Sequence, residues 1–250
     1  MARPRILLVP TVTEVEWAIK PLLEQWGEVA SFDAPGVGSE PATETTQEAI
    51  VGRGLSEIER RGWDDCVIVG DEAGAAQAVR IAGARPAVVR AIALGHPALS
   101  FERTGPRPAL NPEVFDALFQ VARTDYRSFV RALCQLTQHA YDDEMADRYM
   151  ERVSQEVALG YLERMLSVQD AEQLEPTLRS LRVPMLLVEH RGCIGWTAES
   201  FEDAVAAFPE ALTASVKIKP SCAPEFAEIL KGFCERLPEQ AESAPAERAN

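Results

Sequence analysis

Short runs of apolar residues recur along the chain, and longer stretches with apolar residues at helical spacing separate them. A near-continuous apolar run is typical of a strand that is buried on both faces, as in a parallel sheet. Alternation of such strands with helices predicts an α/β fold, with a mostly parallel sheet covered by helices on both faces. The predicted strands are Arg5–Val9, Glu28–Asp33, Cys66–Gly70, Val89–Leu94, Pro184–Glu189 and Ala214–Ile218.

The region between the fourth and fifth predicted strands has a different pattern. From Asn111 to about Glu175, apolar residues recur at helical spacing with charged residues between them, and no strand pattern interrupts them. We therefore expect a core formed by residues 1–102 and 179–238, with an all-helical cap inserted over the sheet at 103–178. The polar, proline-containing tail at 239–250 is expected to be disordered.

The overall charge and the cysteine count narrow the classes of function. A net charge of −14 argues against nucleic-acid binding, because a phosphate-binding face needs clustered Lys and Arg. No segment approaches the roughly 18 apolar residues of a membrane span. The five cysteines are far apart and only three histidines are present, so we expect no metal site and no cofactor. A cytoplasmic protein is the simplest interpretation, and the sequence leaves open whether it forms a homodimer.

One predicted strand turns abruptly into a helix. The stretch VIVGDEAGAAQAVRIA (Val67–Ala82) runs from apolar residues through Gly70 and Gly74 into alanine-rich, helix-forming sequence. Small residues on both sides of such a turn permit a strained backbone at the residue between them, which here is Glu72. The sequence therefore places a carboxylate at the tip of a sharp strand-to-helix turn.

Four motifs, in order along the chain, resemble those of the α/β-hydrolase family. FDAPGVGSEP (Phe32–Pro41) is similar to a family loop with Asp, Pro and Gly-x-Gly, and the turn at Glu72 resembles the nucleophile elbow G-x-S-x-G. LEPTLRSLRVPMLLVEH resembles the return from the cap into a strand, and APEFAEILKGF resembles the C-terminal helix. The resemblance implies an α/β-hydrolase fold with a helical cap. The family's usual first hairpin is missing from this sequence, so about six strands are expected.

The family's Ser-His-acid triad is replaced at each of its positions. Glu72 stands at the nucleophile position. The segment where the family has its histidine reads KIKPSCAPEFAE, with Ser221 and Cys222 nearest to the expected place. The segment that should carry the acid reads HRGCIGW, with Gly192 and Cys193 nearest. The resemblance therefore implies the fold without the standard hydrolytic machinery.

Candidate functional residues lie at predicted strand ends and in the altered loops. His96 and His190 each follow a predicted strand, at the edge where ligands bind in open α/β sheets, and either one is a candidate base for Glu72. Glu72 is alternatively a carboxylate that binds a ligand or is satisfied by helix N-terminal amides. A Cys193 thiolate paired with His190 is a further alternative, against an inert buried thiol. The expected binding residues are Thr11, Val12, Ala73, Cys193, Trp196 and Cys222, with the amides of Val12 and Ala73 as an oxyanion hole.

Three hypotheses follow from these residues. The first is a hydrolase-fold protein without triad chemistry that binds a small apolar or carbonyl-bearing ligand between core and cap. The second is a divergent hydrolase or lyase in which Glu72 works with His96 or His190. The third is a protein-interaction scaffold. Fold alone does not decide between them, because function depends on the site.

Overall fold

A six-stranded parallel sheet forms the centre of the protein, in the strand order β2-β1-β3-β4-β5-β6. The computed structural model describes residues 3–10, 15–40, 46–99, 111–136, 143–165, 174–193, 195–217 and 223–238. The strands are β1 (Arg5–Val9), β2 (Glu28–Ser31), β3 (Cys66–Asp71), β4 (Val89–Gly95), β5 (Met185–Arg191) and β6 (Leu212–Lys217). The predicted α/β fold with about six strands is confirmed.

Ten α-helices accompany the sheet in the described part of the chain. They are α1 (Val15–Leu23), α2 (Gln47–Arg60), α3 (Ala73–Ala84), α4 (Pro112–Thr124), α5 (Tyr126–Leu136), α6 (Asp143–Arg152), α7 (Gln155–Met165), α8 (Leu174–Leu181), α9 (Ala198–Ala207) and α10 (Ala223–Glu235). None of these helices is long and apolar enough to cross a membrane.

Each face of the sheet is buried by its own set of helices. On one face, apolar residues of α2, α3, α8 and α9 pack against strand residues such as Ile68 and Ile92. On the other face, α1 and α10 pack against residues such as Val67 and Val188. All six residues of β3 are buried, as its position between β1 and β4 requires. Helices on both faces explain why the strands are near-continuous apolar runs.

Helices α4 to α7 form a third apolar cluster, together with Ala34 and Val37 of the loop after β2 and Ile50 of α2. Its fully buried side chains include Phe129, Val130 and Tyr149. Asn111 begins the segment by accepting a hydrogen bond from the Val114 amide at the N-terminus of α4. No strand lies among the described residues between β4 and β5, so the helical pattern of this region is present as predicted. The limits of a cap at 103–178 stay a prediction, and α8 packs on α3 of the core.

The loop after β2 joins the core to helices α4–α7. Asp33 accepts a hydrogen bond from the Arg152 guanidinium at the end of α6, and the Gly38 amide donates to the Arg152 carbonyl at 2.8 Å. Val37 forms a β-bridge with Val153. Gly38 has a φ of 63°, and a Cβ atom there would lie 2.6 Å from Asp33 Oδ2. The Asp-Ala-Pro-Gly-Val-Gly motif is therefore a connector between the two parts of the molecule.

Candidate functional site

Glu72 occupies a strained turn between β3 and α3. Its φ of 47° and ψ of −115° are unusual for a residue with a side chain. Its amide donates to the Gly95 carbonyl at 2.8 Å, which ties the turn to the end of β4. A Cβ atom at Gly70 would lie 2.4 Å from the Gly74 carbonyl oxygen, so this close strand–helix approach requires glycine. The predicted sharp turn is thus present, with Glu72 at its tip.

Asp71 and His190 meet across a glycine at the carboxyl edge of the sheet. Asp71 on β3 pairs in register with Gly95 on β4, and Gly95 pairs with Val188 on β5. His190 lies two residues beyond Val188, on the same face of the sheet. Asp71 Oδ1 is 3.1 Å from His190 Nε2, and a Cβ atom at Gly95 would lie only 1.8 Å from that oxygen. Gly95 therefore leaves the space in which the two side chains meet.

The carboxylate of Glu72 is enclosed by three side chains. Oε1 lies 3.7 Å from His190 Nδ1 and accepts from Cys193 Sγ at 3.6 Å. Trp196 also acts on this carboxylate, because its indole contributes to the lowered pKa of Glu72. Glu72 is 4% exposed and His190 is 2% exposed, so the contacts are shielded from water. Trp196 in turn packs edge-on against Phe115 of α4, with ring centroids 6.4 Å apart.

His96 has a different environment from His190. Its Nε2 lies 3.1 Å from the Thr197 carbonyl oxygen, and its Nδ1 accepts from the His190 amide at 3.3 Å. A carbonyl can only accept, so Nε2 carries the proton and Nδ1 is bare, which makes this ring neutral. Thr197 also begins α9 by accepting from the Ser200 amide. His96 has a φ of 38°, a second strained position at this edge.

No protein-family model and no curated protein sequence matches the chain. Solved structures do match. A bromoperoxidase from Bacillus anthracis is 16% identical with a TM-score of 0.74, over 94% of this chain and 92% of that one. An enol-lactonase from Burkholderia xenovorans (17% identity, TM-score 0.70) has the same two coverages. A meta-cleavage product hydrolase from Pseudomonas fluorescens is 14% identical with a TM-score of 0.70, over 94% of this chain and 91% of that one. The chain has the α/β-hydrolase fold.

Within this α/β-hydrolase fold, the elbow carboxylate and the nearby histidine favour opposite charges. Burial opposes ionisation of Glu72, but the interaction with the nearby His190 outweighs it, so the pKa of Glu72 is lowered. Burial also opposes protonation of His190, but attraction by Asp71 and Glu72 outweighs it, so the pKa of His190 is raised. Burial is the largest influence on His96 and lowers its pKa.

The thiol of Cys193 is poorly suited to act as a nucleophile in this α/β-hydrolase fold. Burial raises its pKa, and the negative charge of Glu72 raises the pKa further. A thiol needs a lowered pKa to supply thiolate at neutral pH. Among the described residues, no group of three or more His, Cys, Asp or Glu side chains is arranged to hold a metal ion.

Five of the residues singled out from the sequence lie together at this edge of the α/β-hydrolase fold: Glu72, His96, His190, Cys193 and Trp196. Ala73 follows as the first residue of α3. Thr11, Val12, Ser221, Cys222 and the tail at 239–250 lie outside the described residues. The sequence predicted that His190 follows its strand. The strand β5 instead extends to Arg191, so His190 lies within it.

Sequence reasoning missed Asp71. The residue looked like part of the turn, and its partner is more than a hundred positions away in the chain. The available signal was Gly95, a glycine at the end of a mostly apolar, buried strand and directly before His96. An isolated glycine in a strand often marks close approach of another group.

Proposed function

We propose that this protein binds a small apolar or carbonyl-bearing molecule between the sheet edge and helices α4–α7, without triad hydrolysis. The observation that carries the proposal is the enclosure of the Glu72 carboxylate by His190, Cys193 and Trp196. A buried carboxylate whose negative charge is stabilised by an adjacent thiol, histidine and indole is a weak nucleophile and a weak base.

The histidines support the same proposal. His96 has both ring nitrogens engaged by backbone groups. His190 has a carboxylate at each nitrogen and is almost completely buried. Neither ring is placed to take a proton from a water molecule that attacks a substrate, as hydrolysis of a covalent intermediate requires.

The location of the binding region rests on the contact between α4 and the loop after β5. The Asn111 amide donates to the Gly195 carbonyl at 3.0 Å, and Phe115 packs on Trp196. The ring of Phe115 from the helical segment thus lies against Trp196, one of the residues around the Glu72 carboxylate. Apolar surface with a few polar groups is typical of small-molecule sites. The bromoperoxidase, lactonase and hydrolase of similar fold are named for reactions of small molecules.

The test combines an activity assay with a binding assay on the wild type, Glu72→Gln and Glu72→Ser. We expect no turnover of p-nitrophenyl acetate or butyrate above the buffer rate by any of the three. Glu72→Ser stays inactive because a serine hydroxyl reaches only as far as the glutamate Cγ, short of His190. Methyl ketones of increasing length should bind saturably, with affinity rising roughly fourfold per CH₂ from about 0.8 kcal/mol of apolar burial.

Trp196→Phe is the matched control for the binding assay, because it keeps an aromatic ring but removes the indole N–H. Followed by tryptophan fluorescence, the ketone signal from residue 196 should vanish in that variant while binding by calorimetry persists. Robust esterase activity of the wild type or of Glu72→Ser would contradict the proposal. A ketone affinity that does not change with chain length would also contradict it.

A second candidate function is a divergent hydrolase or lyase that uses Glu72. The observation in its favour is the strained backbone of Glu72 beside His190, since strain of this kind concentrates at functional sites. A reaction step that needs one base, such as a lyase step, fits this arrangement better than hydrolysis. Turnover by the wild type that disappears in Glu72→Gln would favour it.

The scaffold hypothesis has less support. Among the described residues, Leu212 is the one large hydrophobic side chain that is exposed. A protein-binding surface usually presents a contiguous apolar patch, and a single leucine does not form one.

A further inference from the structure

Asp71 is a buried acidic residue that has no role in the proposed function. It is the last residue of β3 and is 6% exposed. A carboxylate removed from water is costly unless it is paired with a positive charge or with donors. His190 Nε2, at 3.1 Å from Oδ1, is an ionisable partner within reach.

The imidazole of His190 lies between two carboxylates. Asp71 is at its Nε2, and Glu72 is at its Nδ1 at 3.7 Å. A neutral imidazole carries one N–H, so one carboxylate would then face a ring lone pair. An imidazolium has an N–H on both nitrogens, so neither carboxylate would then face a lone pair. The two contacts are ion pairs rather than hydrogen bonds, and two carboxylates at these distances favour the positively charged form of the ring.

We propose that Asp71 is the positioning residue of the site: it holds His190 as an imidazolium whose Nδ1–H is directed at Glu72. We call Asp71, His190 and Glu72 the charge cluster. In it two carboxylates share one positive charge, and the elbow carboxylate stays ionised although it is buried. The inference concerns the site of the proposed function but does not depend on which molecule binds there.

The surroundings of His190 fix the orientation of the ring. The ring of Phe226 on α10 packs edge-on at 6.3 Å, and the ring of His96 packs edge-on at 5.9 Å. The titratable groups that face His190 in the described residues are Asp71 from β3, Glu72 from the elbow, and His96 after β4; Cys193 contacts Glu72 from the following loop. Of these, the two carboxylates favour a charged ring, and neutral His96 does not oppose it.

Gly95 makes the Asp71–His190 contact possible. A Cβ atom at this position would lie 1.8 Å from Asp71 Oδ1 and 3.1 Å from His190 Nε2. Gly95→Ala should therefore displace the Asp71 carboxylate while keeping the residue itself. This provides a second way to break the contact, independent of removing the charge.

The test is a pH titration of the protein followed by ¹⁵N NMR of the histidine side chains. The chain has three histidines, so His96→Gln and His139→Gln suffice to assign the signals. Wild type, Asp71→Asn and Gly95→Ala are compared with Asp64→Asn. Asp64→Asn is the matched control. It makes the same substitution just before the start of β3, where Asp64 forms a surface ion pair with Arg5.

In the wild type, both nitrogens of His190 should show the protonated shift at pH 7, while His96 shows one protonated nitrogen. Asp71→Asn should lower the titration midpoint of His190 by about one to three pH units, as expected for loss of a close opposite charge. Gly95→Ala should lower it in the same direction, and Asp64→Asn should leave it unchanged.

The wild-type spectrum alone can overturn the inference, even if a variant fails to fold. A single protonated nitrogen on His190 at pH 7 would show a neutral ring and exclude the charge cluster. A folded Asp71→Asn protein with an unchanged His190 midpoint would exclude Asp71 as the positioning residue. Either failure would leave the ketone-binding test intact, so the two proposals are separable.

Discussion

Glu72 combines a strained backbone with a charged, buried side chain. Residues with side chains are disfavoured at its φ and ψ, at a cost of roughly 1–3 kcal/mol. The hydrogen bond from its amide to Gly95 and the close approach of Gly70 to α3 hold the turn in place. The surrounding backbone therefore holds Glu72 in its strained conformation, and the contacts of its carboxylate are a separate feature of the site.

The strain predicts an unusual order of stability for two variants. Glu72→Gly and Glu72→Ala both remove the carboxylate, but only glycine adopts this conformation without strain. We expect the glycine variant to be about 1 kcal/mol more stable by urea unfolding. At Glu59, an exposed position on α2, the order should be reversed by about 1 kcal/mol, because alanine is the better helix former. The same order at both positions would contradict strain at Glu72.

Part of the site was predictable at the residue scale and part was not. Glycine spacing and the polar residue between the glycines gave the turn and Glu72. The pairing of Asp71 with His190 depends on the register of three strands and on an absent side chain at Gly95. Register in a parallel sheet pairs residues that are far apart in the chain, and a single sequence does not reveal which residues pair.

At the scale of elements, the apolar runs were sufficient to predict the sheet, because strands that are buried on both faces consist almost entirely of apolar residues. Helices α4–α7 were equally clear from their periodicity. The way they attach to the core was not, since the Asp33–Arg152 pair joins a loop to a helix end far away in sequence. The Phe32–Pro41 motif was noticed as a family resemblance, and its contacts with α6 explain what those residues do.

The connector predicts a local effect of Arg152→Met. The Arg152 side chain is 35% exposed and that of Asp33 is 29% exposed, so solvent screens their ion pair. We expect a loss of stability of less than about 1 kcal/mol. The larger effect should be faster hydrogen exchange of the Gly38 amide, whose acceptor is the Arg152 carbonyl.

Arg127→Met is the matched control for this prediction. Arg127 forms ion pairs with Asp143 and Asp147, which join α5 to α6. These ion pairs do not involve the loop after β2. Gly38 exchange should be unchanged in that variant. Equal exchange rates for Gly38 in both variants would mean that the Arg152 side chain does not hold the connector.

At the scale of the whole molecule, the charge cluster should be visible in the pH dependence of stability. The lowered pKa of Glu72 gives stability that is present above its unfolded value of about 4.3 and is lost as pH falls through the folded value. The raised pKa of His190 gives stability that is present below its unfolded value of about 6.5 and is lost as pH rises through the folded value. The two contributions overlap between these limits.

The measurement is the free energy of urea unfolding from about pH 2.5 to 9 for the wild type and Glu72→Gln. The difference between them should be largest, on the order of 3 kcal/mol, between about pH 4.3 and 6.5, and should shrink on both sides. The lowered pKa of His96 reduces stability as pH falls below about 6.5 in both proteins. The charge of Glu72 opposes this shift, so its loss in Glu72→Gln lowers the pKa of His96 further and adds to the difference below about pH 6.5. Glu59→Gln, at an exposed pair with Arg85, should give a small and flat difference. A flat difference for Glu72→Gln as well would mean that the buried carboxylate and His190 do not titrate as a pair, because a neutral partner would remove both limbs of the curve.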